Sequence, residues 1–188
     1  ADATVTLGAN RIAAKGSYGR PGDSLALELD ARNLAQIDPR AAGQLAGQAT
    51  IGSGGGRPTI AFDVRGAKLR WASERTIGTL LAKGELAAGA QRPIDLALTA
   101  DGIDALVRVE GEWDGARSWR GAIARLENRG EYALALAAPA PLEIAPDRVA
   151  LGAATVRGFE GELAIQRLVW ENGRLSTAGR MRRPSTGW

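Results

Sequence analysis

The sequence feature that most constrains the fold is an amphipathic strand pattern that occurs three times, in copies about 35 residues apart. Each copy carries three large apolar residues at alternate positions, and an Arg-Pro pair precedes it. The apolar triplets are Leu25, Leu27 and Leu29; Ile60, Phe62 and Val64; and Ile94, Leu96 and Leu98. Because successive side chains of a strand point to opposite faces, each copy has one apolar and one polar face. A repeat of this length predicts stacked units whose shared surface carries the function.

The same alternation continues through nearly the whole chain and predicts about a dozen strands, separated by turn signals such as Asp-Gly and Asn-Gly. Connections this short cannot hold crossover helices, so the sheet is predicted to be mostly antiparallel. One short helix is predicted at 38–42, with Asp38 as N-cap and Pro39 as the first helical residue. The fold class predicted from these patterns is therefore all-β.

Two strands change the parity of their apolar positions midway. The change falls between Ile123 and Leu126 in one strand and between Ile165 and Leu168 in the other. One extra residue in a strand has this effect, so each strand is predicted to contain a β-bulge, which increases the local twist.

Glycine recurs on the apolar side of the predicted strands. The positions are Gly16, Gly47, Gly84, Gly111, Gly161 and Gly179. Glycine inside a strand weakens it, so its recurrence on one face needs a reason. Missing side chains let a sheet bend and pack tightly against its own opposite wall, or they leave room for a ligand to lie against the backbone. Curvature with tight packing is the favoured interpretation.

The chain has no Cys and no His, which excludes disulfides, zinc-finger sites, Cys nucleophiles and Ser-His-Asp arrangements. Glu110 and Glu112 share one side of a strand, but their polar surroundings favour solvated surface acids over a glycosidase pair. Asp101 and Asp104 fit a plain turn better than a calcium loop, and the glycines of 52–56 lack the Lys of a phosphate loop. The sequence therefore predicts no enzyme, no cofactor and no metal.

The net charge of +3 comes from arginines that are spread among acidic residues. The only basic cluster lies at 180–183, so nucleic acid is not expected as a partner. The five Trp residues are interpreted as core plugs in preference to an interfacial belt. They are Trp71, Trp113, Trp119, Trp170 and Trp188.

No linker-like stretch or change of composition divides the chain, so residues 1–188 are expected to form one continuous segment. The first residues already read as a strand, with no initiator Met, signal peptide or membrane-spanning run. The interpretation is a segment excised from a longer protein.

Motifs in the second half of the chain carry a family resemblance. Residues 118–126 read S-W-R-G-A-I-A-R-L, residues 132–136 read Y-A-L-A-L, and residues 138–144 read A-P-A-P-L-E-I. Residues 161–165 read G-E-L-A-I, and residues 168–174 read L-V-W-E-N-G-R. This order resembles the TamB family of the AsmA-like superfamily, the translocation and assembly module subunits of Gram-negative bacteria, and it covers essentially the whole chain.

The resemblance implies a periplasmic location, as part of an inner-membrane-anchored protein. It implies an elongated, strongly curved sheet, the β-taco, which is a U-shaped groove with an apolar concave face. It also implies a BamA-family outer-membrane partner, a TamA-like barrel protein, whose contact is expected outside these residues. The family brings no catalytic residues.

The resulting hypothesis is a groove that carries phospholipids between the inner and outer membranes, with acyl chains on the apolar residues. The predicted groove-lining residues, for lipid or client, are Leu25, Leu27, Leu29, Ile60, Phe62, Val64, Ile94, Leu96, Leu98, Val107, Val109, Leu134, Leu136, Leu163 and Ile165. Each of them is equally compatible with ordinary core packing between two walls.

Two other functions stay open on the sequence. One is a scaffold or chaperone for the assembly of outer-membrane β-barrel proteins, including autotransporters, which holds client strands in the groove or at a sheet edge. The other is a structural stalk with a dry, closed core. Exposed strand edges also predict edge-to-edge self-association of the chain at high concentration.

Overall fold

The computed structural model describes residues 2–54, 56–71, 76–158 and 161–182. Within these ranges fifteen strands form one sheet, and every strand pairing is antiparallel. The strands are β1 (Asp2–Leu7), β2 (Asn10–Gly16), β3 (Ser24–Ala31), β4 (Ala41–Gly54), β5 (Arg57–Trp71), β6 (Ile77–Ala87), β7 (Gln91–Ala100), β8 (Ile103–Trp113), β9 (Trp119–Asn128), β10 (Leu134–Leu136), β11 (Ala140–Ala145), β12 (Arg148–Leu151), β13 (Ala154–Gly158), β14 (Gly161–Glu171) and β15 (Arg174–Arg182). The predicted all-β, antiparallel fold is confirmed. The sequence inferences about Arg183 and Trp188 lie outside the described residues.

The strands follow one another through the sheet as a meander. Strands β1 to β9 pair in sequence order. Strands β10 and β11 then lie end to end along β9, and β12 and β13 lie end to end along β14. Strands β10 and β11 therefore form one long strand that is interrupted once, and β12 and β13 form another. Pro139 falls in the first interruption, where its missing N–H leaves the ladder incomplete.

The three copies of the sequence repeat correspond to β3, β5 and β7. One strand separates each copy from the next, so the three strands run in the same direction. The repeating unit is thus a hairpin of two strands, and each unit contacts its neighbours along the sheet.

Both predicted bulges are present. Val109 pairs with Ile123 and Arg108 pairs with Arg125, which leaves Ala124 as the extra residue of β9. In the pairing of β14 with β15 the register shifts in the same way at Gln166. The parity changes in the sequence therefore keep the apolar side chains of both strands on one face.

The helix predicted at 38–42 is wrong. The only helix in the described residues is a 3-10 turn at Leu34–Gln36, where the side chain of Asn33 accepts a hydrogen bond from the N–H of Ala35 at 3.1 Å. Asp38 instead forms a β-turn, in which its C=O accepts from the N–H of Ala41 at 2.9 Å and β4 begins. Asp favours such turns because its side chain competes for nearby backbone N–H groups.

The sheet is a single layer in the part of the chain that the structure describes. No large side chain there is completely buried. The apolar residues with less than one-tenth of their surface exposed are mostly alanines: Ala31, Ala41, Ala87, Trp119, Ala140, Ala154 and Val169. A closed core would enclose its Leu, Ile and Phe side chains. This packing disfavours the dry-core stalk.

A buried asparagine organises the turn that follows β9. Asn128 is 9% exposed, and its Oδ1 accepts from the N–H of Asp104 at 2.8 Å and of Gly130 at 3.3 Å. Its Nδ2 donates to the C=O of Tyr132 at 2.7 Å. The amide thus replaces the backbone partners that the turn lacks.

Replacing Asn128 with Ala is expected to lower the free energy of unfolding by about 3 kcal/mol, because it leaves part-buried backbone groups without partners. The matched control is Gln48→Ala, which removes an exposed amide from β4 and should change stability by less than about 0.5 kcal/mol. Urea denaturation measures both values. Equal losses would contradict the role assigned to Asn128.

Candidate functional site: the apolar face

All the predicted groove-lining residues lie on one face of the sheet, called here the apolar face. Residues that pair across antiparallel strands share a face, so the register places them in common rows. One row contains Leu27, Ala49, Phe62, Gly84, Ile94, Val109 and Ile123. The next contains Leu29, Gly47, Val64, Ala82, Leu96, Val107 and Leu126. The apolar face is therefore continuous across the strands.

Large and small residues alternate along these rows from β3 to β7, and β7, β8 and β9 then contribute consecutive large residues. Phe62 lies between Ala49 and Gly84, and Ile94 follows Gly84. A Cβ on Gly84 would lie 2.7 Å from Cγ1 of Ile94, so the neighbouring side chain already fills that space. The glycine makes close packing between adjacent strands possible and leaves no room for a ligand at the backbone.

The predicted residues are neither enclosed nor fully exposed. All of them are half-buried except Leu163, which is 37% exposed. Half-burial of large apolar side chains in a single layer means that the face presents a broad apolar surface. Ordinary isolated surface residues would not form such continuous rows.

The sequence prediction of the site omitted several residues of the same face. They include Leu45, Ile51, Leu80, Leu86, Ile123, Leu126, Leu142, Leu151, Val156 and Met181. Their alternation was visible in the sequence, but only the strand register shows that they continue the rows of the repeat.

The opposite face of the sheet is polar. Its central row pairs residues of mixed charge: Asp63, Lys83, Asp95, Arg108 and Arg125. Within this row Arg108 donates to both carboxylate oxygens of Asp95, at 2.9 and 3.1 Å. These side chains are largely exposed, so they solubilise the face and add little to stability.

Glu127 is the most strongly perturbed acid of the polar face. Arg129 donates to its carboxylate from Nε at 2.8 Å, and Arg125 donates from Nε at 3.1 Å. These hydrogen bonds, with Arg129 the larger cause, hold the pKa of Glu127 down to about 2. Glu127 is therefore a permanent anion at neutral pH rather than a proton donor.

A shallow cavity of about 540 Å³ at the rim of the sheet brings Glu112 near Asp114, Arg120 and Glu143. Arg120 pairs with Glu143 at 3.3 Å. The carboxylate of Asp114 accepts from the backbone N–H groups of Ala116 at 2.7 Å and of Ser118 at 3.1 Å. These hydrogen bonds hold the pKa of Asp114 below its usual range. A general acid needs a raised pKa, so this arrangement fits ion pairing and turn capping.

The tryptophans divide between two environments. Trp119 is 8% exposed and lies over Gly111 and Gly121, as the core-plug interpretation predicts. Trp71 is 59% exposed and Trp170 is 41% exposed, so the core-plug interpretation is wrong for both.

The described residues contain neither a membrane-spanning helix nor a cluster of metal-binding side chains. None of the helical residues there forms a segment of the length and hydrophobicity needed to cross a membrane. No group of three or more acidic side chains in those ranges is placed to hold a metal ion.

Comparison with known proteins identifies the family. No curated protein and no solved structure matches the chain. The family model described as TamB, N-terminal domain, matches residues 1–127, which include the three repeat copies but only the first of the motifs that carried the resemblance. Because this match covers more than half of the sequence, the chain belongs to the TamB family.

Proposed function

We propose that the apolar face is the wall of a groove that carries phospholipids between the inner and outer membranes. In this proposal acyl chains lie on the rows of Leu, Ile, Val and Phe while the headgroups stay in water. The chain acts without catalysis, as one segment of a longer periplasmic protein anchored in the inner membrane. A TamA-like outer-membrane protein is its partner, through contacts elsewhere in the protein.

One observation carries the proposal: the apolar rows are continuous, half-buried and without a second layer over them. Burial of a methylene group contributes about 0.8 kcal/mol, so a lipid with two acyl chains gains much more on such a face than in water. A surface of this kind needs an apolar occupant or partner.

The regularity of the rows also suits movement. In the two rows of Phe62 and Val64, large side chains alternate with Gly and Ala from β3 to β7, so this part of the face offers several similar shallow positions. A lipid that moves from one position to the next loses apolar contacts and gains similar ones. Transport then needs no deep binding site.

The experiment is lipid analysis of the purified, detergent-free chain. Mass spectrometry of organic extracts is expected to find co-purified phospholipid, and the chain is expected to take up labelled phospholipid from vesicles. Clean extracts together with no uptake would overturn the proposal. Photo-crosslinkers at Phe62 and Leu98 that capture unfolded barrel peptides instead of lipid would establish the assembly-scaffold function in its place.

A further inference from the structure

The alternation of apolar and polar residues breaks in three neighbouring strands at one place on the polar face. In β6, β7 and β8 an apolar residue stands where the two-residue period of a strand calls for a polar one. These residues are Leu81, Ala97 and Leu106, and they pair directly across the strands. They form one short apolar row, which we call the notch. Single apolar residues are common on a surface, but three in register need an explanation.

The strand register places the notch on the polar face. Leu81 precedes Ala82, which pairs with Val64 in a row of the apolar face. Because successive residues of a strand point to opposite faces, Leu81 points away from that row. Ala97 and Leu106 follow Leu81 in the same cross-strand row, so they point the same way. The notch is therefore separate from the groove-lining residues.

The notch forms the apolar floor of a cavity of about 680 Å³. Leu81 is 48% exposed, and Ala97 and Leu106 are half-buried, so this floor is open to water. Leu81 and Leu106 lie two strands apart, which is roughly 10 Å at the strand spacing of a sheet. Only the small side chain of Ala97 lies between them. The space above Ala97 therefore has the width of one apolar side chain.

Charged side chains surround the notch on the same face. Lys83 follows Leu81 by two residues, and Arg65 pairs directly with Leu81. The other charged residues of the cavity share the cross-strand row of Lys83. The lining thus includes four cations and two anions: Arg65, Lys83, Arg108, Arg125, Asp63 and Asp95.

Four cations against two anions leave the cavity with an excess of two positive charges. Glu127 does not remove this excess, since it is shared between Arg125 and a further cation, Arg129. Such a surface attracts an acidic partner, most strongly at low ionic strength. Anions alternate with cations along the row of Lys83, and the uniform negative charge of a lipid surface or a nucleic acid would repel these anions. A protein segment can place single carboxylates beside single cations.

We propose that the notch binds an acidic segment of a partner protein, which inserts one apolar side chain between Leu81 and Leu106. The inserted side chain covers Ala97, and its acidic neighbours pair with Lys83 and the arginines around the cavity. Binding uses the face opposite the apolar rows, so this inference goes beyond the proposed lipid function and does not depend on it. The chain then holds lipid on one face and a protein on the other.

The test is an NMR titration of the chain, at low ionic strength, with a short synthetic peptide in which one leucine lies between two pairs of glutamates. Selective chemical-shift changes are expected at the methyl groups of Leu81, Ala97 and Leu106. A second peptide with glutamine in place of every glutamate is expected to bind at least about threefold more weakly. The absence of selective changes at these three residues would overturn the proposal.

The shape of the notch is tested by filling it. Ala97→Leu leaves the charge unchanged and is expected to weaken peptide binding about tenfold, because the inserted side chain loses its apolar contacts. Ala26→Leu makes the same change at an exposed position of the polar face in β3, and this control should bind normally. Leu81→Asp removes one wall and adds a like charge, so it should weaken binding at least about tenfold. Normal binding by Ala97→Leu and Leu81→Asp would overturn the notch as the site.

The charges are tested with the two peptides. Lys83→Gln is expected to weaken binding of the glutamate peptide about three- to tenfold and to leave the glutamine peptide unchanged. Lys15→Gln, which removes an exposed lysine of the polar face in β2, is the control and should affect neither. An equal effect of Lys83→Gln on both peptides would overturn the assignment of the acidic residues to this cavity.

Further outcomes separate the notch from other occupants and from the lipid function. Binding of the chain to phosphatidylglycerol vesicles that Ala97→Leu abolishes would identify a lipid surface as the occupant and overturn the proposal. Phospholipid uptake should stay normal in Ala97→Leu, and a joint loss of uptake and peptide binding would overturn the separation of the two faces. Absence of uptake in the unmodified chain, with peptide binding intact, would overturn the lipid function and leave the notch standing.

Discussion

Replacing Phe62 with Asp is expected to abolish phospholipid uptake while the sheet stays folded. Phe62 lies in the middle of a continuous apolar row, half-buried between Ala49 and Gly84. A carboxylate at this point interrupts the path of an acyl chain, since an ionised group strongly resists transfer into apolar surroundings. We expect uptake from vesicles to fall at least about tenfold, because even two lost methylene contacts cost about 1.6 kcal/mol.

The fold should survive because the face has no second layer. In a single-layer sheet the carboxylate of Phe62→Asp reaches water, so the expected loss in free energy of unfolding is about 1–2 kcal/mol, from lost apolar contacts. In a sealed core an unpaired charge would cost several kcal/mol and unfold the chain. Circular dichroism and urea denaturation distinguish the two cases.

The control is Leu81→Asp, which makes the same kind of change on the polar face. Leu81 is 48% exposed and pairs with Arg65 and Ala97. Uptake and stability should both stay near their original values. Equal loss of uptake in the two variants would show that charge alone, rather than the apolar face, controls uptake.

Much of this arrangement could be predicted from the sequence because strand periodicity is local. The alternation around Phe62 fixes which side chains share a face, and the parity changes after Ile123 and Ile165 required the bulges that the structure contains. Such patterns depend only on the two-residue period of a strand. Short connections between the strands then leave the meander as the simplest order.

The position of the 3-10 helix could not be predicted in this way. It depends on hydrogen bonds between distant residues, such as Gln36 with Ala9 and Asn10 with Asn33. The local signal at Asp38 suggested a helix and instead marks a turn. Local propensity is a weak prior, and contacts between separate parts of the chain decided the outcome.

The close approach of β8 and β9 could not be predicted from the sequence either. Gly121 pairs with Gly111, and the indole of Trp119 lies over both. The glycine recurrence had indicated Gly111, but the strand register was needed to place a second glycine opposite it. Two facing glycines under one tryptophan make a site without spare volume.

Gly121→Ala is therefore expected to destabilise the chain by about 3 kcal/mol, the upper end of ordinary overpacking costs. A Cβ at this position would collide with the carbonyl oxygen of Glu110, and it would lie 2.5 Å from Cα of Gly111 and 2.7 Å from Cη2 of Trp119. Two of these three obstacles are backbone, so a change of rotamer cannot relieve the collision. The strands themselves must separate.

The matched control is Gly52→Ala in β4, where a Cβ would lie 3.4 Å from Oγ1 of Thr59, at ordinary contact distance. That variant should be neutral or more stable by up to about 1 kcal/mol, since Ala restricts the unfolded chain. In a sheet built from neighbouring hairpins the damage of Gly121→Ala should start locally, so amide exchange should accelerate first in β8 and β9. The midpoint temperature of thermal unfolding should fall by about 6–12 °C in Gly121→Ala. If the two alanine variants proved equally stable, β8 and β9 would not approach as closely at Gly121 as the structure places them.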